Sequence, residues 1–370
     1  MSVKHRGKFF YTINSIILGL LVGAIILLSV GINPIEAYKV IFLGALGKPK
    51  FIGWTIVQGI PIILTGISVA FAFNTGLFNI GAEGQYIVGS LGAVLAGVLL
   101  DLPPVIHGIV ALLCGLGFGL LWAGMIGLFK AKFGVNEVIS SIMLNWVALY
   151  LNNFFLEMPF LRKPESDNSY RIMESASIRL LDGWKRSEAG RAMLKEHSIL
   201  KGILNPPIHW GIILAILMAI LAWYILKKTT LGYQLKAVGF NKDAAEYGGI
   251  NIKKNIIVSM AISGGFSGLA GAITVLGVSQ NIGILAAQQG YGFNGIAVSL
   301  IAGNSPLACI PAGLLFSGLT YGGGKLNSSL NTPSEIINII IGIIVFFIAM
   351  PKLLDIIENV VKGKRGGKNA

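Results

Sequence analysis

Long uncharged runs, broken by short polar clusters, dominate the chain. A helix needs about 20 apolar residues to cross the hydrocarbon core of a bilayer, and several runs reach that length. The first, Phe9–Gly31, follows the basic residues Lys4, Arg6 and Lys8. It is too long for the apolar part of a signal peptide and no small-residue cleavage site follows it, so a retained first span is expected. Phe51–Phe73 holds Pro61 and Gly66 near its middle; a kink is expected there because proline removes a backbone donor. Gly84–Leu100, Val105–Phe129 and Val138–Leu156 supply spans three to five. From Glu157 to Pro207 the pattern changes: Arg162, Lys163, Glu165, Asp167, Arg171 and Glu174 alternate in sign between proline-marked ends, which describes an aqueous excursion. The sixth span is His209–Leu226. Asn255–Gly324 carries no charge, and polar breaks near Ser279–Gln289 and Gly303–Pro306 divide it into three passes; Ile336–Met350 is the last.

The fold class expected is therefore an all-α polytopic membrane protein with about ten transmembrane helices in two halves of about five, some of them broken. The corresponding boundaries are 1–156 for the N-terminal half, 157–207 for the excursion, 208–351 for the C-terminal half including a polar loop at 227–254, and 352–370 for a basic tail. Phe78-Asn79-Ile80-Gly81 and Phe293-Asn294-Gly295-Ile296 form a thin echo between the halves.

Composition narrows the class. Apolar residues make up 54% of the 370 and charged residues 12%, and the mean hydropathy is +0.75, which excludes soluble, disordered and nucleic-acid-binding classes. Glycine at 49 residues suits helices that approach closely or break. The net charge of +13 comes from short Lys/Arg clusters at 4–8, 130–132, 227–254 and 362–368. In this topology all of them fall on one face, which the positive-inside rule makes the cytoplasm. Both termini are then cytoplasmic in a plasma-membrane protein, and 157–207 lies outside. Cys114, Cys309 and the four scattered histidines form no metal or disulfide pattern.

Two segments carry candidate chemistry. In Asn74–Gln85 an acid, amides and glycines abut membrane spans; a buried carboxylate is costly in hydrocarbon, so such groups line solute paths or cap helices. Asn79, Glu83, Gln85, Asn145, Phe293 and Asn294 are the candidate substrate-path residues, since aromatic faces and amides are the groups that a solute path offers. For Glu83 and Asn145 the competing readings are a helix cap and a helix-to-helix hydrogen bond. The second segment, Leu231–Lys254, contains a short helix at Asn241–Tyr247 ended by Gly248-Gly249, either a connector or a docking element for a soluble partner.

The motifs FNIGAEGQ (78–85), GVNEVISSIMLNW (134–146), GYQLKAVGFNKDAAEYGGI (232–250) and GYGFNGIAVSLIAGNSPL (290–307) together resemble the branched-chain amino acid/simple-sugar permease family of ATP-binding cassette importers, and its nucleoside permease branch. The resemblance covers about residues 40–351. Asp243-Ala244-Ala245 followed by Gly249 is similar to the E-A-A-x-x-x-G loop of such permeases, with Asp in place of Glu and without the later I-x-L-P. The resemblance implies a transport subunit that is not itself an enzyme, with Asp243, Ala244, Ala245 and Gly249 coupling it to an ATPase. It further implies a second permease subunit, copy or paralogue, two cytoplasmic ATPases that bind the ATP and Mg, and an extracytoplasmic substrate-binding lipoprotein. No cofactor and no nucleic acid are expected in this chain, which has no phosphate-binding GxxxxGK[ST]. A simple-sugar permease and an ion-coupled carrier are the alternatives, the second disfavoured by spans nearly free of acids and histidines.

Overall fold

A computed structural model describes residues 17–349. The basic cluster at Lys4, Arg6 and Lys8, the start of the first expected span, Met350 and the tail 352–370 lie outside the described residues. Regular structure within them is helical, with isolated β-bridges only.

The first apolar run ends at Ser29, closing α1 (Ile17–Ser29), and a second helix, α2 (Pro34–Leu46), turns away at 118°. The sequence reading missed α2, although its start is marked: the Asn33 side chain accepts the Ile35 N–H and Pro34 occupies the first turn, where its missing N–H costs nothing. Next come α3 (Pro49–Phe73), which runs through Pro61 as one helix, α4 (Ala82–Leu99), α5 (Ile106–Phe133) and α6 (Glu137–Leu156). Gly134, at φ +69°, closes α5, and Asn136 caps α6 through the Val138 N–H. Three short helices fill the later excursion: α7 (Asp182–Arg186), α8 (Glu188–Glu196) and α9 (Ser198–Leu204). Then follow α10 (Gly211–Lys228), α11 (Thr230–Phe240), α12 (Lys242–Tyr247) and α13 (Ile252–Thr274), whose last turn widens into a π-helix at Val275–Ser279. The chain closes with α14 (Tyr291–Ile301), α15 (Cys309–Leu330) and α16 (Ser334–Ala349).

Among the described residues six helices, α3, α4, α5, α6, α10 and α13 with its π extension, are long and apolar enough to cross a membrane, or seven spans if the bent α1–α2 pair counts as one. The chain is thus a multi-pass membrane protein. The expected middle pass of 255–324 is not one continuous helix: α14 has only 11 residues, about 16 Å of helix against a hydrocarbon thickness of about 30 Å, so it covers about half of it.

The described chain divides into two compact units, Ile52–Ser317 and the flanking segments up to Phe51 and from Gly318. Within the larger unit α3, α4 and α13 are mostly buried, while α5, α6 and α10 expose side chains such as Leu121, Ile139 and Leu217 that suit lipid. Three helices meet there through glycine. A Cβ on Gly268 of α13 would lie 2.4 Å from the Gly115 carbonyl oxygen of α5, and one on Gly89 of α4 would lie 2.3 Å from Gly268 Cα. On α5 the residues facing this seam, Gly115, Gly119, Ala123 and Gly127, recur every fourth position. Small residues at that spacing let backbones touch, which replaces the hydrophobic drive that lipid cannot supply.

Gly268→Val is therefore expected to prevent a monodisperse detergent-purified protein, or to lower its Tm sharply, since overpacking typically costs about 1–3 kcal/mol. Gly117→Ala, where nothing lies within 4 Å, should behave as wild type in the same fluorescence-detected size-exclusion and melting assay.

Candidate functional site

The link between α3 and α4 folds around buried polar groups. Asn79 and Gln85 exchange two hydrogen bonds at 2.9 Å, and the Asn79 amide also donates to the Ser263 hydroxyl of α13 at 2.7 Å. Asn145 of α6 accepts the Gly84 N–H at 2.8 Å and donates to the Ile80 carbonyl at 3.1 Å, capping α4 from another helix where Gly81 offers no side chain. Glu83 has no exposed surface. Its two carboxylate oxygens accept the N–H groups of Gly290 at 2.7 Å and Gly292 at 2.6 Å, at the start of α14. The orphan donors of a helix N-terminus are a natural partner for a carboxylate. Gly292 must be glycine, because a Cβ there would lie 2.1 Å from the Glu83 nitrogen.

Fixing the start of α14 fixes Tyr291, which stacks on Tyr86 of α4 with ring centroids 4.9 Å apart. The two rings form one wall of a cavity of about 500 Å3. Asn152 of α6, Thr274 and Ser279 at the end of α13, and Asn281 and Gln289 in the link to α14 add polar groups, with Ile87 and Val278 among the apolar lining. Such a mixture of aromatic faces, apolar walls and a few amides is the ordinary composition of a small-molecule site.

Residues from the first part of the excursion hold the outer wall, 276–285. Arg171 Nε donates to the Gln280 side-chain oxygen at 2.6 Å, and Arg179 donates to the carbonyls of Gly277 and Val278. Backbone bonds from Ile172 N to Gln280 O and from Ser169 N to Ile282 O continue the strap, and Asn152 and Asn153 of α6 bond the carbonyls of Gly283 and Leu285. The π-helix leaves its last carbonyls without partners in the helix, and Arg179 satisfies two of them.

Between α10 and α13 the chain forms α11 and α12. Asn241 caps α12, accepting the Ala244 N–H at 3.0 Å, and Gly249 at φ +78° ends it, with Ile250 N bonded back to Ala245 O. Asp243 and Ala244 are exposed, whereas Ala245 is buried against the chain itself. The apolar surface of this segment comes instead from Phe240 and Tyr247, 90% and 97% exposed.

Residues 51–349 match the family described as branched-chain amino acid transport system / permease component. The chain belongs to that family. Among curated proteins the permease is 38% identical over 362 residues to the guanosine ABC transporter permease protein NupP of Bacillus subtilis, an alignment spanning 98% of this chain and 99% of the relative. It is 35% identical to the nucleoside ABC transporter permease protein NupB of Lactococcus lactis, over 96% of this chain and 94% of the relative. The B. subtilis permease NupQ, also named for guanosine, is 27% identical over 71% of this chain and 78% of the relative.

Of the substrate-path residues expected from sequence, Asn79, Glu83, Gln85 and Asn145 are brought together, but as buried, mutually satisfied supports of α4 and α14. Phe293 and Asn294 lie in the first turn of α14, Phe293 exposed. None of the six lines the cavity. The lining aromatics Tyr86 and Tyr291 were missed although each sits one or two residues from a motif position; the signal was present in the GQY and GYG triplets. Asn152 and Gln289 gave no signal, because amides in apolar runs are equally at home in helix contacts.

Replacing Glu83 by Gln should leave one α14 N–H facing an amide donor, at a cost of about 1–3 kcal/mol, and Glu83→Ala should cost more. Melting of the purified variants checks this order. Wild-type stability in Glu83→Gln would mean that the carboxylate does not hold the start of α14.

Proposed function

We propose that this permease is the membrane-spanning subunit of an ATP-binding cassette importer for nucleosides. The observation that carries the reading is the near full-length similarity to two permeases named for guanosine and nucleosides. The cavity agrees with it chemically. A nucleoside presents a flat base and a hydroxyl-bearing ribose, and the Tyr86/Tyr291 wall with Asn152, Asn281 and Gln289 offers a ring face beside amide donors and acceptors. In this reading Tyr86, Tyr291, Asn152 and Gln289 contact solute, while Asn79, Glu83, Gln85 and Asn145 keep the elements that carry them in place.

Transport then needs partners. The chain is similar to both NupP and NupQ, two permease proteins of one organism that are each named for guanosine transport, which supports pairing with a paralogous permease. Two ATPases on the cytoplasmic side would bind ATP and Mg and press on α12, and a binding lipoprotein would deliver solute at the outer face. About ten crossings, one of them shared by α14 and the extended chain before it, with both termini in the cytoplasm, is the proposed topology; α12 then faces inward and the excursion outward. ATP binding shifts the population between inward- and outward-open states, because it favours the closed ATPase pair far more than the open one. Asp243 and Ala244, with Phe240 and Tyr247 beside them, form the docking face, and Gly249 sets the angle at which the chain leaves it.

Cells carrying the whole importer should take up labelled guanosine and other nucleosides, and lose that uptake when this subunit is deleted; uptake of a sugar instead would reassign the solute. Tyr247→Glu should abolish co-purification with the ATPase and reduce uptake at least tenfold, because it puts a carboxylate into a desolvated contact. Full retention of both would leave α12 as a plain connector. For topology, Ser187→Cys should react with an impermeant maleimide in intact cells, and Asn241→Cys only after permeabilisation. The reverse pattern would invert the proposed orientation.

A further inference from the structure

His209 precedes α10 and is 1% exposed. Its Nδ1 accepts the Gly211 N–H at 3.1 Å, so that nitrogen carries no proton and the ring proton sits on Nε2. Nε2 is buried and has no hydrogen-bond partner. An orphaned buried donor costs the free energy of its desolvation, and native structures seldom leave one without a reason. The ring is also deliberately accommodated: a Cβ at Gly211 would lie 2.5 Å from Nδ1, and a Cβ at Gly277 would lie 2.5 Å from Cγ. Backbone pairing of Arg179 with His209 fixes the residue from the excursion side.

The imidazole lines a second cavity of about 70 Å3 together with Trp54 and Gln58 of α3. Thr274, Val278 and Tyr291 line both this cavity and the larger one. Its volume exceeds the roughly 30 Å3 share of one water in the liquid. A single hydroxyl-bearing carbon of a solute seated against Tyr291 fits it.

We infer that His209 donates its Nε2–H to a hydroxyl group of the transported solute, in a subsite completed by Gln58 and Trp54. This deepens the proposed nucleoside reading and rests on it for the identity of the solute. His209 thereby acts as a specificity-determining residue: a compound without that hydroxyl leaves the donor unpaired and is discriminated against.

The test uses the whole reconstituted importer and measures KM and kcat of uptake. Solutes are a ribonucleoside with its 2′-, 3′- and 5′-deoxy analogues, and a pentose and a hexose with theirs. In wild type one deoxy analogue should show a KM about tenfold above its parent, the size expected for one lost hydrogen bond. His209→Phe keeps the ring in its glycine cradle without the donor. It should raise the parent's KM about tenfold, leave that analogue's KM unchanged, and so erase the difference between them. His209→Asn, smaller than the cradle, is the second variant should the first fail to assemble, and should erase the same difference; His209→Gln should restore part of it. An equal KM rise for every solute would assign His209 to packing, and unchanged values would mean that water satisfies Nε2; either result overturns the inference. Uptake of a sugar but no nucleoside would sink the nucleoside reading alone, because the sugar and its deoxy forms still test His209. Uptake of none of these compounds overturns both.

Discussion

A carboxylate with no exposed surface, set among apolar helices, must find donors inside the protein. Glu83 finds two at the start of α14, the N–H groups of Gly290 and Gly292, and much of the larger unit follows from that requirement. The pair ties α4 to a helix too short to cross the membrane. The N-terminus of α14 is therefore held within the bundle, and the chain that leads to it becomes cavity wall instead of continuous helix. Tyr291 stacks on Tyr86 because both flank this contact.

The same logic of satisfying backbone inside an apolar medium explains the rest of the wall. The π turn at Val275–Ser279 and the irregular chain after it expose carbonyls, and irregular backbone at such a place persists only where partners reach it. Arg179, Asn152 and Asn153 reach it from the excursion and from α6. The excursion is thus physically continuous with the cavity: its first part is bonded to the wall, and only its later part forms separate short helices. Any force applied to residues 167–179 has a direct path to 276–285.

Behind the cavity, the glycine seam of α4, α5 and α13 supplies rigidity without side chains. Backbones in van der Waals contact move as a block, so motion is directed to the elements outside the seam. Those include the α11–α12 segment, joined to the bundle through the buried Ala245 and exposing Phe240 and Tyr247.

The sequence by itself determined the class and much of the local structure. Uncharged runs of membrane length located α3 to α6, α10 and α13 to within a few residues, because apolar length and helix caps such as Asn136 and Asn241 act locally. It also named the polar residues that matter, since amides and an acid against membrane spans stand out. Which groups they bond was decided by tertiary structure alone. Glu83 and Asn145 each had two readings, solute contact or structural partner, and their partners lie far away along the chain, as the contacts of Asn145 with Gly84 and of Glu83 with Gly292 illustrate. The short helix α14 was hidden for the same reason: its run of residues is as uncharged as its neighbours', and only the carboxylate waiting at its start shows where it begins. Ala245 read as a docking residue and is buried, because the side chains a six-residue helix offers to solvent depend on how it lies against its neighbours. The role of His209 was likewise invisible in sequence, where a lone histidine beside a span carries no sign of which nitrogen is left without a partner.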